Sequence, residues 1–323
     1  MILTALALAA ALSAQQPTAT PKAPQAPKTE QHAGLAVQVA LDRAGFSPGA
    51  LDGRIGAQTK KALAAYQKAN GTEPPATEPV TTYRITDEDA AGPFVKEIPK
   101  DLVDQAKLKS LGYRTLLEAL AERFHSTPDL LQRLNPGATF AAGQEITVPN
   151  VDPMRLPAEA PKQETKPTAA EKKAQASAAQ AEAKAKAEVT VTVSKAASAL
   201  SVTDAAGKIV LYAPVTTGSE MDPLPIGKWK VNGVTINPPF RYNPDLFWDA
   251  DPAHTKALIP PGPNNPVGLV WVDLSKEHYG IHGSPEPANI GRSESHGCVR
   301  LTNWDALRLA SLVKPGTPVI FRE

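Results

Sequence analysis

The sequence predicts a multi-domain chain: a mainly β domain over residues 189–323, preceded by a small helical domain over 34–72 and a mixed α/β segment over 82–151. Three observations carry this reading. Apolar residues alternate with period two from Val189 onward, the spacing of half-buried strands. Around residues 37–44 and 57–68 they recur at helical spacing instead. Pro-rich or Ala/Lys/Glu-rich stretches with little to bury separate these units. With 32 prolines and only 5 % aromatics, a good part of the 323 residues is expected to be linker rather than core, and a net charge of +1 makes no case for a nucleic-acid partner.

Residues 1–14 form a short apolar run ending in Leu12-Ser13-Ala14, too short to span a bilayer and suited to a secretory signal peptide, although no Lys or Arg precedes it. The expectation is an exported protein of the periplasm or cell wall, not membrane-spanning once the signal is removed. A single cysteine cannot form an intramolecular disulfide, which fits export with one reactive thiol. Residues 15–33 read as an extended Pro-rich tether.

In the 34–72 unit, Val37, Ala40, Leu41 and Ala44 share one helical face, and Gly45 is placed to end the helix. A second helix from about Ala57 to Lys68 presents Ala62, Leu63 and Tyr66, with Thr59 early in it. The stretch from Asp52-Gly53-Arg54 to Thr59, set between two such helices, resembles the small helical peptidoglycan-binding module of wall enzymes. A helical hairpin with no ligand is the plainer reading.

After a Pro/Thr-rich break at 73–81, the 82–151 segment carries an amphipathic helix on Leu116, Leu117, Leu120, Ala121 and Phe124, then a second one opened by Thr127-Pro128. An Asn135-Pro136-Gly137 turn and a strand ending at Val148-Pro149 follow. From Leu120 to Pro149 this resembles the second half of a LysM glycan-binding module, but 87–102 lacks the usual opening strand, so a plain spacer domain stays open. Residues 152–188 read as linker, first Pro-rich and then a solvated Ala/Lys/Glu-rich helix.

The 189–323 domain opens with hairpins over 189–193, 199–203 and 208–212. The long stretch 236–266 carries Phe240, Tyr242, Phe247 and Trp248 and is expected to form a flap beside a cleft, or else to cover the sheet. Its chemistry concentrates in Tyr279-Gly280-Ile281-His282-Gly283 and Ser295-His296-Gly297-Cys298-Val299-Arg300. The chain's one cysteine and a histidine from a separate segment make a candidate nucleophile–base dyad, because a thiol needs a base or cation to react near neutral pH. Gly283 and Gly297 let backbone approach a substrate, and the Gly297 and Cys298 amides could meet a developing oxyanion. A metal site of His282, His296 and Cys298 is the rival, weakened by the lack of a fourth ligand.

The pattern His-Gly followed by Ser-His-Gly-Cys-Val-Arg resembles the YkuD-type catalytic domain of the L,D-transpeptidases of bacterial cell walls. The segment 217–231 resembles that family's Thr-Pro-x-Gly-x-Phe/Trp stretch, with leucine and proline in place of its threonine and proline. The resemblance implies that Cys298 is the acylated nucleophile and His282 the base and acid. It further implies that Gly283 orients the histidine, that Ser295, His296 and Gly297 shape the pocket and oxyanion hole, and that Arg300 and Tyr279 contact substrate. Neither metal nor cofactor is called for. The partners implied are peptidoglycan stem peptides and glycan, with a second stem or a wall-linked protein as amine acceptor. A carboxypeptidase or peptidoglycan hydrolase passing the same thioester to water is the alternative. A non-catalytic wall-binding protein would be expected to lack the Cys or His.

Overall fold

A computed structural model describes residues 28–156 and 188–323. The readings of 1–14 as signal peptide, of most of 15–33 as tether and of nearly all of 152–188 as linker therefore lie outside the described residues.

The front half begins with helices α1 (Lys28–Arg43) and α2 (Ala57–Asn70), the latter closed by Gly71 in the left-handed conformation. Buried Gln38 of α1 sets the loop between them. Its amide nitrogen donates to Asp52 Oδ1, the Arg54 carbonyl and Thr59 Oγ1, and its oxygen accepts from the Asp52 and Gly53 amides. The Asp-Gly-Arg stretch is thus wound around one buried amide. A side chain at Gly34 would strike the Gly53 carbonyl at 2.3 Å, which explains the glycine opposite it.

In the next unit, β1 (Val80–Arg84) pairs antiparallel with β2 (Glu145–Pro149), Val80 opposite Pro149. The sequence had offered no opening strand, because Val-Thr-Thr-Tyr-Arg directly follows Pro79 and merges with the Pro/Thr-rich break. Short helices α3 (Asp87–Ala91) and α4 (Leu102–Gln105) come between β1 and the pair α5 (Leu116–Arg123) and α6 (Pro128–Leu134). Thr115 and Thr127 cap α5 and α6, and Pro128 takes the first helical turn as predicted. Leu120, Phe124, Leu130, Leu131, Ile146 and Val148 form a core with Leu35 and Val39 of α1, so the two front units share one interior.

The C-terminal domain is one eight-stranded sheet. Its strands are β3 (Val189–Ser194), β4 (Ala199–Asp204), β5 (Ile209–Pro214), β6 (Gly227–Ile236), β9 (Val270–Leu274), β10 (Gly280–His282), β11 (Val299–Arg300) and β12 (Pro318–Arg322). They run in the order β11-β10-β9-β6-β12-β3-β4-β5. Pairs β10–β11 and β12–β3 are parallel and the remainder antiparallel. Helix α7 (Asn303–Leu312), capped by Thr302, packs on it through Ala306, Leu309 and Ala310. Strands β7 (Phe240–Tyr242) and β8 (Ala257–Ile259) make a separate two-stranded ribbon in the expected flap.

The front half is docked on this domain. The Gly45–Ser47 segment covers the edge strand β5 by exchanging backbone hydrogen bonds with Tyr212, and Phe46 stacks on its ring at 6.1 Å. Fully buried Asp42 accepts from Arg308 of α7 at 2.7 and 3.1 Å and lies 3.1 Å from His125, whose ring stacks on Trp304. Ser47 donates to Asp305 at 2.8 Å. Leu111 exchanges backbone hydrogen bonds with Pro261 and Asn264, and packs with Tyr242 and Ile259. Flap aromatics Phe240, Tyr242 and Phe247 therefore pack with the α4 region rather than on the sheet, while Trp248 is exposed.

Candidate active site

Strand β10 brings the histidine to the cysteine. Ile281 pairs with Val299 and His282 with Arg300, and Ile281 and Val299 point into the core. Alternation then puts His282, Arg300 and Cys298 on the opposite face. Gly280 is needed here, since a Cβ would meet the Trp271 ring at 2.5 Å, and that ring stacks on His282 at 5.5 Å between centroids.

His282 is 4 % exposed, and its Nδ1 lies 2.7 Å from the Gly283 carbonyl. A carbonyl only accepts, so Nδ1 carries the proton and Nε2 keeps a free lone pair. Burial, reinforced by the Arg300 charge and partly offset by the Gly283 bond, lowers the imidazole pKa to about 3. The ring is neutral at physiological pH and poised as a base. Gly283, assigned an orienting role, holds the histidine by its carbonyl. A Cβ on it would strike Asn303 Oδ1 at 2.1 Å.

Burial raises the Cys298 thiol, while a Gly280 backbone hydrogen bond and the Arg300 charge pull it down. Its Sγ lies 3.8 Å from the His278 carbonyl, and no hydrogen bond joins it to the imidazole among the described residues. The resting state is thus a thiol and a neutral imidazole, not a preformed ion pair, and catalytic hydrogen bonds are commonly completed only when substrate binds. Arg300 is half-buried, and its Nε is without a hydrogen-bond partner among the described residues. It is bound into the fold through backbone bonds to Thr216.

Gly297 sits at φ +93°, and a side chain there would meet the Tyr279 ring at 2.8 Å, so Tyr279 walls the Gly297-Cys298 turn. The Ser295 hydroxyl donates to the Cys298 carbonyl, and its backbone is tied to Thr217 and Ser219. His296 reaches to the flap. It bonds Asp249 at 2.8 Å and contacts the Phe247 and Trp248 rings, so it secures the flap. It is not gathered with His282 and Cys298 as the metal reading needs, and no cluster of three or more His, Cys, Asp or Glu suited to a metal occurs among the described residues.

Sequence reasoning missed several residues here. Trp271 looked like any strand aromatic. Asn303 follows the cap Thr302 and its side chain turns inward, accepting from the Leu269 amide and donating to Glu122 of α5 at 2.7 Å. Burial, only partly countered by hydrogen bonds from Tyr113 and Asn303, raises that carboxyl to about 7. Asp222 lies in the stretch compared with the Thr-Pro-x-Gly-x-Phe/Trp segment, but nothing in that likeness marks it.

Two parts of the chain match known families. Residues 188–321 match the YkuD family, described as "L,D-transpeptidase catalytic domain", and residues 35–74 match a family described as "Putative peptidoglycan binding domain". The protein named "Putative L,D-transpeptidase YkuD" of Bacillus licheniformis is 52 % identical over 59 residues, 18 % of this chain and 36 % of that protein. Its namesake in Bacillus subtilis is 53 % identical over 57 residues, 18 % and 35 % respectively. The "Probable L,D-transpeptidase YbiS" of Escherichia coli is 45 % identical over 65 residues, 20 % and 21 %. The chain thus spans about a third or less of the length of these relatives.

Proposed function

We propose that the protein is a cysteine-dependent L,D-transpeptidase acting on peptidoglycan stems. The observation that carries this reading is the neutral His282 imidazole with Nδ1–H fixed on Gly283 and Nε2 free, on the strand beside the Cys298 turn. In the proposed mechanism Nε2 takes the thiol proton as Sγ attacks the carbonyl before the terminal D-residue of a tetrapeptide stem. The resulting oxyanion is met by backbone amides at Gly297 and Cys298, and Arg300 adds positive charge nearby. The imidazolium returns its proton to the leaving amine, and a thioester remains. An amine of a second stem, or of a wall-linked protein, then takes the acyl group, and water as acceptor would give carboxypeptidase action.

Residues 35–74 are assigned wall binding on their family match. Glycan binding by the 80–151 unit is supported by its two strands flanking α5 and α6, the order of a LysM module with an insertion after the first strand. Export to the periplasm or cell wall is the setting these substrates require. The test is intact-protein mass after incubation with a tetrapeptide stem. An adduct of the stem less its terminal residue, absent in Cys298→Ala, is expected. No adduct, or one that survives the substitution, would refute the mechanism.

A further inference from the structure

We propose that Asp222 is the acceptor-recognising residue of this site: its carboxylate binds the aliphatic ammonium of the incoming acceptor, favouring amide formation over hydrolysis. The inference rests on the transpeptidase reading above and deepens it. Asp222 belongs to the loop between β5 and β6, which is fastened to the nucleophile turn. Gly218 bridges Ser295, the Ser219 amide donates to the Ser295 carbonyl at 3.1 Å, and Ser219 Oγ accepts from the Asp222 amide at 3.2 Å. A Cβ on Gly218 would touch both the Asp222 carbonyl and Gly297 Cα, so loop and turn are in van der Waals contact. Asp222 Oδ2 is buried and has no hydrogen-bond partner among the described residues. Its charge is felt by both Cys298 and Tyr279, raising each.

A carboxylate beside a nucleophilic cysteine opposes thiolate formation, so it does not serve acylation. A buried acceptor oxygen with no donor costs free energy until a donor arrives. An ammonium supplies both the missing hydrogen bond and the opposite charge. Arg300 acts on the same thiol with the opposite sign and is the complementary group for carboxylates, which leaves Asp222 the cationic end of the acceptor. In the deacylation step the acceptor ammonium gives one proton to Asp222. The amine lone pair attacks the thioester carbonyl, the C–S bond breaks and the C–N bond forms. The amine's second proton passes through His282 Nε2 to the departing sulfur. The products are amide, thiol and protonated Asp222, which then releases its proton to solvent.

The full chain carrying Asp222→Asn or Asp222→Glu is compared with wild type, using a tetrapeptide stem as donor and a stem tripeptide ending in a diamino acid as acceptor. Acylation of Cys298 followed by mass should be as fast as in wild type or faster in Asp222→Asn, because a charge that opposes the thiolate is gone. The acceptor KM should rise about tenfold and product should shift toward hydrolysis, with Asp222→Glu partly restoring both. An unchanged acceptor KM and amide-to-hydrolysis ratio in Asp222→Asn overturns the assignment, as does equal slowing of both half-reactions. If wild-type Cys298 is not acylated at all, the transpeptidase reading fails and takes this inference with it.

Discussion

Replacing Asp42 by alanine tests whether the front half is part of one folded body with the C-terminal domain. The carboxylate is wholly buried between the front half and α7, held by two Arg308 bonds of 2.7 and 3.1 Å and by His125. Burial alone would raise its pKa, but His125 and Arg308 outweigh that and hold it well below the carboxylate range. Alanine removes one partner and leaves Arg308, three-quarters buried, without its main counter-charge. Breaking a buried pair in this way costs ~3–5 kcal/mol, a fall in Tm of roughly 10 °C for a body of this size. Because the folded pKa is depressed, the stabilisation is present above the unfolded value near 4 and is lost as pH falls below it. Thermal unfolding followed by tryptophan fluorescence reads the effect, since Trp304 lies in the interface and Trp229 and Trp271 in the sheet. The double replacement Asp42→Leu, Arg308→Met should recover part of the loss. A loss under about 1 kcal/mol in Asp42→Ala, or separate melting of the two halves in wild type, would refute the reasoning.

Other expectations follow from the site and its support. His282→Ala should lower kcat roughly 100- to 10,000-fold on a soluble stem, and activity near wild type would mean another base. The His282 ring signals in NMR should not titrate between pH 5 and 8, because its pKa is about 3. A midpoint above 5 contradicts that, and the stability linked to this group is lost as pH falls from about 6.5 toward 3. Glu122 has the opposite sign: its raised pKa of about 7 means that wild type loses ~3 kcal/mol as pH climbs from about 4.5 to 7. Glu122→Gln should abolish that slope in denaturant titrations, and an unchanged slope would assign it elsewhere. A chain starting at Glu188 should fold poorly and turn over soluble stems more slowly than the full chain, since it bares β5 and the polar face of α7. Equal turnover by the two would mean that residues 188–323 fold and act without the front half.

Much of this could be read from the sequence. The hairpins from Val189 to Tyr212 and helices α2, α5 and α6 rest on local periodicity, and they stand where the pattern put them. What escaped depends on distance along the chain. Glu122 and Asn303, or Asp42 and Arg308, carry no local sign that they meet. A buried acid on an amphipathic helix looks like a solvated one until its neighbour is known. Strand β1 was hidden by Pro79 for the opposite reason, a local breaker outweighing a short β-branched run. His296 shows the limit of a motif, which fixes a residue's neighbours in the chain but not the flap that folds over it.

The docked interface also changes what is asked of residues 157–187. Two domains held by Asp42, Ser47, Glu122, Arg308 and a covered sheet edge keep their relative pose through noncovalent contacts. The covalent connection need only keep the halves at high mutual concentration, a requirement that weakens slowly with length. So loose a demand leaves the length and composition of that stretch free to vary while the contacts across the interface keep the two halves in register.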